Sequence, residues 1–266
     1  MLVKSKTKSL YNSWKIQVRV IGALLLREII TRFGRHNIGF LWLFTEPMMF
    51  TLGITVLWTL SKANHGSNLP ITAFAITGYS SILLWRNTVG RCNQAITPNL
   101  GLMYHNNVKV LDIYISRIII EISGSTISFV ILSSIFIYLG LMDFPADVVT
   151  TIFGWLLLTW VGASLGLLIG SLSEQSDIVE KLWHPISYLM FPLSGAAFMV
   201  DWLPPTAQKI VLFLPMVHGI ELLREGYFGN LVKAHYNLSY AITICLIMTM
   251  FGLIFAKQTE NRVEPE

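Results

Sequence analysis

Apolar runs of about twenty residues recur along the sequence, and a helix of that length crosses the hydrocarbon layer of a membrane. The runs lie near residues 38–60, 71–89, 115–139, 148–172, 182–200 and 238–256. With 53% hydrophobic and only 13% charged residues, the composition departs from that of soluble domains. The sequence therefore predicts an all-α membrane protein with six transmembrane helices.

Residues 10–33 precede the first run and have the pattern of an amphipathic helix. Its apolar stripe consists of Trp14, Val18, Ile21, Leu25 and Ile29. Lys15, Arg19 and Arg27 lie off that stripe. We expect an N-terminal interface helix, with its stripe toward acyl chains and its basic residues toward anionic headgroups.

The distribution of Lys and Arg predicts the orientation. The segments on the side of the two termini carry 15 of these residues, whereas the opposite side carries four, namely Lys62, Lys209, Arg224 and Lys233. Because positive residues are retained on the cytoplasmic side, both termini are expected in the cytoplasm.

Charged side chains within the predicted spans have two interpretations each. Glu46 precedes Pro47 in the first span, and a carboxylate at that depth is costly unless it faces protein or water. It either bonds to a neighbouring helix or lines a pathway. Arg117 and Glu121 are four residues apart, so they either pair on one helical face or act on a passing substrate.

Small residues predict close packing of the fourth span. Gly154, Gly162, Gly166 and Gly170 recur at helical spacing, which lets neighbouring helices approach closely. The fifth run contains Pro185 and Pro192, and we expect it to be broken.

Two shorter apolar segments are too short to span. The patch at 100–104 lies within polar sequence and is expected to form a helix that docks on a partner. Residues 203–228 contain two apolar halves with Pro204, Pro205 and Pro215 at the start and the corner. Because each half is too short to cross, this segment is expected to form a re-entrant helical hairpin.

Motifs for catalysis or cofactor binding are absent from the sequence. It has no Walker A motif, HExxH or GxSxG. His218 and Glu221 are the nearest approach to a metal-ligand pair, but they lack a third ligand. Cys92 and Cys245 are isolated, and the net charge of +4 is not gathered into a nucleic-acid-binding motif. We expect no metal, no catalytic residue and no nucleic acid.

Several stretches resemble one family of transporters. They are REIITRFGRHNIGFLWLFTEPM, TGYSSILLWRN, NLGLMYHNNVKVLD, PLSGAAFMVDWLP and LPMVHGIELLREGYFG. They are similar to permeases of capsular-polysaccharide ABC exporters (KpsM-type, of the ABC-2 class). The resemblance implies one transmembrane domain over 1–266, with a cytoplasmic or interfacial segment at 1–38, a six-helix membrane region at 39–256 and a cytoplasmic tail at 257–266.

The same resemblance implies partners and a location. The permease would be a homodimer in a bacterial inner membrane, bound to two copies of a cytoplasmic ATPase that use ATP and Mg, while the permease itself binds no cofactor. A periplasmic co-polymerase or adaptor and an outer-membrane export protein would complete the pathway for a lipid-linked acidic polysaccharide. The alternative is a membrane-bound enzyme of glycolipid or polysaccharide synthesis.

Site residues follow from the resemblance and from side-chain chemistry. The expected ATPase-coupling residues are Leu100, Leu102, Met103, Tyr104 and Asn106. The expected substrate pathway combines arginines for anionic groups with aromatic rings for sugars: Arg32, Arg35, Glu46, Tyr79, Trp85, Arg86, Arg91, Arg117, Glu121, Tyr188 and Phe191. The expected periplasmic gate is Leu212, Phe213, Leu214, Pro215, His218 and Glu221.

Overall fold

The computed structural model describes residues 2–33, 37–60, 69–103 and 108–263. These residues form ten α-helices, joined by turns and three short 3-10 segments. The helices are α1 (Leu2–Phe33), α2 (Asn37–Leu60), α3 (Ile71–Cys92), α4 (Leu100–Met103), α5 (Val110–Tyr138), α6 (Val148–Ser173), α7 (Asp177–Leu193), α8 (Pro205–Val211), α9 (Pro215–Phe228) and α10 (Leu238–Val263). The prediction of an all-α chain is therefore confirmed over the described ranges.

Helix α6 lies at the centre and packs against α3, α9 and α10. Its glycines make this possible. A Cβ atom on Gly154 would lie 2.4 Å from the backbone nitrogen of Leu223 in α9, and one on Gly170 would lie 2.6 Å from the carbonyl oxygen of Cys92 in α3. Gly162 and Gly166 also face α3. The predicted close contacts of this helix are confirmed.

Four helical segments of the described chain are long and apolar enough to cross a membrane. They are Leu41–Leu60 of α2, together with α5, α6 and Leu238–Arg262 of α10. The pair α8 and α9 passes the same test as a unit and is bent by 108°, so it is either a broken span or a re-entrant loop. The chain is thus a multi-pass membrane protein, and the re-entrant path of the hairpin stays a prediction.

Helices α3 and α7 account for the difference from six predicted spans. Helix α3 has 22 residues but is less apolar, and most of its side chains are buried against α2, α5 and α6. Protein neighbours shield its polar groups, so α3 does not need an apolar surface. Helix α7 has only 17 residues and ends at Leu193, and it continues through Pro185, where a break was expected. Six spans stay a prediction.

Hydrogen bonds from aspartate side chains determine where two spans begin. Helix α5 begins at Val110, earlier than predicted, because the Asp112 carboxylate accepts a hydrogen bond from the backbone N–H of Lys109 (2.9 Å) and caps the first turn. Helix α6 begins as predicted, directly after Asp147, whose carboxylate accepts bonds from the backbone and hydroxyl of Thr150. Those bonds hold the pKa of Asp147 below its usual range.

The N-terminal helix α1 packs on α5 and α2. Its contact with the protein buries Leu24, which lies beside the predicted stripe. Trp14, at the start of that stripe, is 70% exposed, whereas Ile21, Leu25 and Ile29 are half-buried. One face of α1 therefore contacts the protein, and its position in the membrane interface stays a prediction.

Candidate functional site

A polar cavity of about 250 Å³ lies between α2, α3 and α7. We call it the α2–α3–α7 cavity. It is lined by Glu46, Arg86, Asn87, Gly90, Arg91, Trp183, His184 and Ser187. The residues from α3 form two pairs that are four apart, Arg86 with Gly90 and Asn87 with Arg91. The residues from α7 are three or four apart. Each set therefore lies on one helical face. The cavity is the meeting point of three polar faces on otherwise apolar helices.

Arg86 connects two walls of this cavity. Its guanidinium carbon lies 4.4 Å from the centre of the Tyr188 ring, so α3 and α7 are joined by a cation–π contact. Tyr188 is 64% exposed at the mouth of the cavity. Such a contact at an exposed site is worth about 0.5–1 kcal/mol, which is small enough to be exchanged for another ligand.

Arg91 belongs to a charge network that extends to α5 and α1. Its Nε lies 3.3 Å from the Glu121 carboxylate, which is nearly buried. Arg117 donates to the carbonyl of Arg91 (2.7 Å) and its Nε lies 3.5 Å from the Glu28 carboxylate. Glu121 and Arg117 are therefore paired with residues of α3 and α1 rather than with each other along α5. Helices α1 and α3 flank α5 and supply partners of opposite charge.

The predicted aromatic residues separate into two groups. Tyr79, two turns before Arg86 on α3, contacts Phe191, with ring centres 5.8 Å apart, and Trp58 of α2 at 5.4 Å. Tyr79 is buried among these rings, and none of the three lines the cavity. Trp85, in contrast, is fully buried in the core cluster between α3 and α6. In this conformation Trp85 has no surface that a substrate can contact.

A second polar cluster lies on α9, and we call His218, Glu221 and Arg224 the α9 clamp. Arg224 is fully buried. Its two terminal nitrogens donate to the carbonyls of Gly195 (2.7 Å), Phe198 (2.7 Å), Ala196 (2.5 Å) and Phe74 (3.3 Å). It therefore joins the turn after α7 to the beginning of α3. Arg224, which the charge distribution assigned to the side opposite the termini, lies inside the protein.

Glu221 and His218 hold two further connections. The Glu221 carboxylate accepts from the backbone N–H groups of Val200 (3.0 Å) and His235 (2.8 Å). The His218 ring contacts the carbonyl of Leu212 (2.9 Å) through Nε2 and accepts from the backbone of Asn237 through Nδ1 (3.0 Å). Both side chains thus bond to the backbone of neighbouring turns and stabilise the positions of those turns.

The other predicted gate residues form the corner between α8 and α9. Pro215 begins α9, as its fixed backbone angle favours. Phe213 is 72% exposed, whereas Leu212 and Leu214 are half-buried. The carbonyl of Phe213 accepts from the Tyr240 hydroxyl of α10 (2.9 Å), so the corner is tied to the last helix.

The 93–103 segment contains the predicted coupling residues that the structure describes. Leu100 is 41% exposed, whereas Leu102 and Met103 pack against the core cluster around Val110. Leu100 is therefore the apolar side chain available to a partner. Tyr104, Asn106, Arg35 and the side chain of Arg32 lie outside the described residues.

Sequence reasoning missed five residues of the cavity and one of the clamp. The cavity is lined, without having been predicted there, by Asn87, Gly90, Trp183, His184 and Ser187. His184 and Ser187 are polar residues three apart within an apolar helix, and this spacing was a usable signal. Arg224 lies three residues after Glu221, on the same face of α9, and that spacing was a signal too.

Comparison with known proteins gives concordant results. Residues 19–228 match the ABC-2 type transporter family. The capsule polysaccharide export inner-membrane protein CtrC of Neisseria meningitidis serogroup B is 44% identical over 258 residues, 97% of each chain. The protein BexB of Haemophilus influenzae, with the same description, is 41% identical over 96% of each chain.

A more distant relative covers the same length. The polysialic acid transport protein KpsM of Escherichia coli is 25% identical over 257 residues, 94% of this chain and 97% of that protein. All three relatives are named for export or transport rather than for an enzymatic reaction. With a family match over most of its length and relatives above 40% identity, the chain belongs to the ABC-2 type transporter family.

Proposed function

We propose that this chain is the membrane-spanning subunit of an ATP-driven exporter that moves lipid-linked capsule polysaccharide across the bacterial inner membrane. The observation that carries this proposal is the similarity to capsule polysaccharide export proteins over 97% of the chain at 44% identity. The α2–α3–α7 cavity fits the proposal, because it gives an apolar protein a polar surface between its helices.

The size of the cavity supports a dimer. At about 250 Å³ it is smaller than the roughly 300–1,000 Å³ of ordinary small-molecule sites, so this cavity by itself does not hold a polysaccharide segment. Glu46 and Tyr188 lie on exposed faces of α2 and α7 beside this cavity. A carboxylate facing hydrocarbon is costly, which favours water or protein on that face. Two copies around a two-fold axis would enclose a wider passage between them.

Arginine chemistry supports an acidic substrate. Arg86 and Arg91 bring two guanidinium groups to one cavity, and such groups suit phosphate or carboxylate in a planar, bidentate geometry. The exposed ring of Tyr188 and the half-buried ring of Phe191 are available for sugar stacking near these charges. We place the anionic, lipid-linked end of the polysaccharide against the arginines.

Energy would come from a separate ATPase, two copies for each permease dimer, which would use ATP and Mg. The 93–103 segment, with its exposed Leu100, is the proposed docking point. Both termini would be cytoplasmic, in accord with the excess of basic residues on that side. The α8–α9 corner would lie on the periplasmic side, where a periplasmic adaptor and an outer-membrane export protein would receive the polysaccharide.

Deletion of the gene separates export from synthesis. If the chain is the permease, cells without it keep making capsule polysaccharide, which accumulates in the cytoplasm while the cell surface loses its capsule. A plasmid copy of the gene restores the surface capsule. An absence of polysaccharide from the whole cell would instead identify the chain as an enzyme of its synthesis.

A further inference from the structure

We infer that Glu174 is a positioning residue for energy coupling, and this inference rests on the proposed function. It fixes the 93–103 segment to the end of α6, so that movement of a docked ATPase is passed to α6 as a whole. Glu174 is the residue directly after the last turn of α6.

The Glu174 carboxylate bonds to two successive residues of the segment. Its Oε1 accepts from the backbone N–H of Ile96 (2.7 Å), and its Oε2 accepts from the hydroxyl of Thr97 (2.9 Å). The neighbouring Ser173 hydroxyl oxygen accepts from the backbone N–H of Gln94 (3.1 Å). Three bonds therefore hold one short stretch against the end of α6, three to six residues before the exposed Leu100.

The backbone of this stretch needs such support. Gln94 has φ of +48°, in the left-handed region that residues other than glycine seldom adopt. Asn93 donates to the carbonyl of Glu180 in α7 (3.4 Å), on the other side of the same junction. The path of the segment is thus determined by its contacts with the α6–α7 connection rather than by its own local preferences.

Glu174 occupies a position that its charge does not favour. The carbonyl end of a helix carries partial negative charge, so a carboxylate there is destabilising by itself. A hydrogen bond to a charged group contributes more to stability than the unfavourable interaction at the helix end removes. The two bonds to Ile96 and Thr97 account for an acidic residue at this place.

Helix α6 can carry the movement to the opposite end of the molecule. Its 26 residues span about 39 Å at 1.5 Å per residue, enough to cross the membrane. Near its beginning, Gly154 approaches the backbone of Leu223, and Thr151 approaches Gly226 of α9 equally closely. Backbones in direct contact do not slide past each other easily. Glu174 and these glycines therefore connect the 93–103 segment to the α9 clamp through one rigid helix.

The test uses the full permease co-expressed with its ATPase subunit and compares Glu174→Ala with Glu180→Ala. Glu180 is an acidic residue of the same connection, and only its backbone carbonyl bonds to the segment. We expect Glu174→Ala to retain the ATPase on co-purification and to lower surface capsule at least about tenfold, the equivalent of one charged hydrogen bond. Glu174→Gln, which keeps one acceptor oxygen, should give an intermediate loss, and Glu180→Ala should export normally.

Three results would overturn the inference. The first is that Glu174→Ala exports as much capsule as Glu180→Ala. The second is that the Glu174→Ala complex loses its ATPase subunit. The third is that the melting temperature falls in both Glu174 variants but not in the control. Leu100→Asp tests the docking proposal separately. If that variant keeps its ATPase and its export, the proposed docking point is wrong, whatever the Glu174 variants do.

Discussion

The α9 clamp and the α2–α3–α7 cavity contain the same residue types, yet they differ in how those residues are satisfied. In the clamp, both carboxylate oxygens of Glu221, both ring nitrogens of His218 and both terminal nitrogens of Arg224 bond to backbone groups. In the cavity, Arg86 rests on the face of an exposed ring, and Arg91 is 44% exposed at its side chain.

In a membrane protein, this difference distinguishes charged residues that stabilise the fold from charged residues that can bind a substrate. A buried polar group without a partner costs free energy, so a cluster whose charged ends all bond to backbone groups is held in one geometry. A group that faces a cavity retains the capacity to exchange its contact for a ligand. The clamp is therefore expected to determine stability, whereas the cavity is expected to determine transport.

The largest expected effect comes from removing the clamp arginine. Arg224→Met leaves several buried carbonyls without a donor and should lower the free energy of unfolding by about 3–5 kcal/mol. Arg86→Met loses an exposed cation–π contact and should cost less than about 1 kcal/mol. Denaturant unfolding of the two purified variants in detergent measures the difference. Equal losses in the free energy of unfolding would show that the clamp contributes no more to stability than the cavity does.

Adding one methyl group at each of two glycines in α3 tests the same difference between the clamp and the cavity. A Cβ at Gly78 would lie 2.3 Å from the carbonyl oxygen of Ala196 and 2.6 Å from Nη2 of Arg224. Gly78→Ala should therefore destabilise by about 1–3 kcal/mol through overpacking. Gly90, beside the cavity, has nothing within 4 Å of such an atom, so Gly90→Ala should stabilise α3 by about 0.5–1 kcal/mol. Melting temperatures that move in the same direction would contradict the contrast.

A change that preserves charge examines the cavity itself. Arg86→Lys keeps the positive charge but loses the planar group that stacks on Tyr188. We expect capsule export to fall about two- to fivefold, the equivalent of one exposed cation–π contact, with unfolding unchanged. Surface staining of capsule measures this loss. Full export would mean that only the positive charge at position 86 matters, as expected if Arg86 serves only to orient the protein in the membrane.

The smallest expected effect is a pH dependence of the free energy of unfolding, caused by Asp201 and His235 next to the clamp. His235 bonds to Asp201 through Nε2 (2.9 Å) and is the main reason why the pKa of that carboxyl lies below its usual 3.8. The stabilisation is present above pH 3.8 and is lost as the pH falls through the lower, folded-state pKa. Because Asp201 is 39% exposed, screening limits the effect to about 0.2–0.5 kcal/mol.

Unfolding of wild type and Asp201→Asn between pH 6 and pH 3 measures this contribution. The two proteins should differ most above pH 4 and approach each other as the pH falls further, because protonation removes the same charge that the substitution removes. A difference that grows as the pH falls would contradict the sign of the shift.

Much of the fold was predictable because a membrane imposes simple requirements on a sequence. Long apolar runs at α2, α5, α6 and α10 indicated helices, and the glycines of α6 indicated close neighbours. The corner at Pro215 was predictable because proline favours the first turn of a helix. Helix α3 was predicted as an ordinary span, since a sequence does not show which polar faces other helices will cover.

The site was only partly predictable. Arg86, Arg91, Glu46 and Tyr188 were expected to act together, and the structure brings them to one cavity or its mouth. Trp85, one residue from Arg86, points into the core instead, because successive residues of a helix face directions about 100° apart.

Length, hydropathy and residue counts are properties of local stretches, so the sequence is enough to recognise a helical, apolar chain with an asymmetric charge distribution. Which charged residues stabilise the fold and which line the cavity depends on how the helices pack. The partners of Arg224, Glu221 and Glu174 are backbone groups far away in sequence, and every residue has a backbone. No pattern of side chains records such partners, so their pairing becomes visible only when the helices are packed.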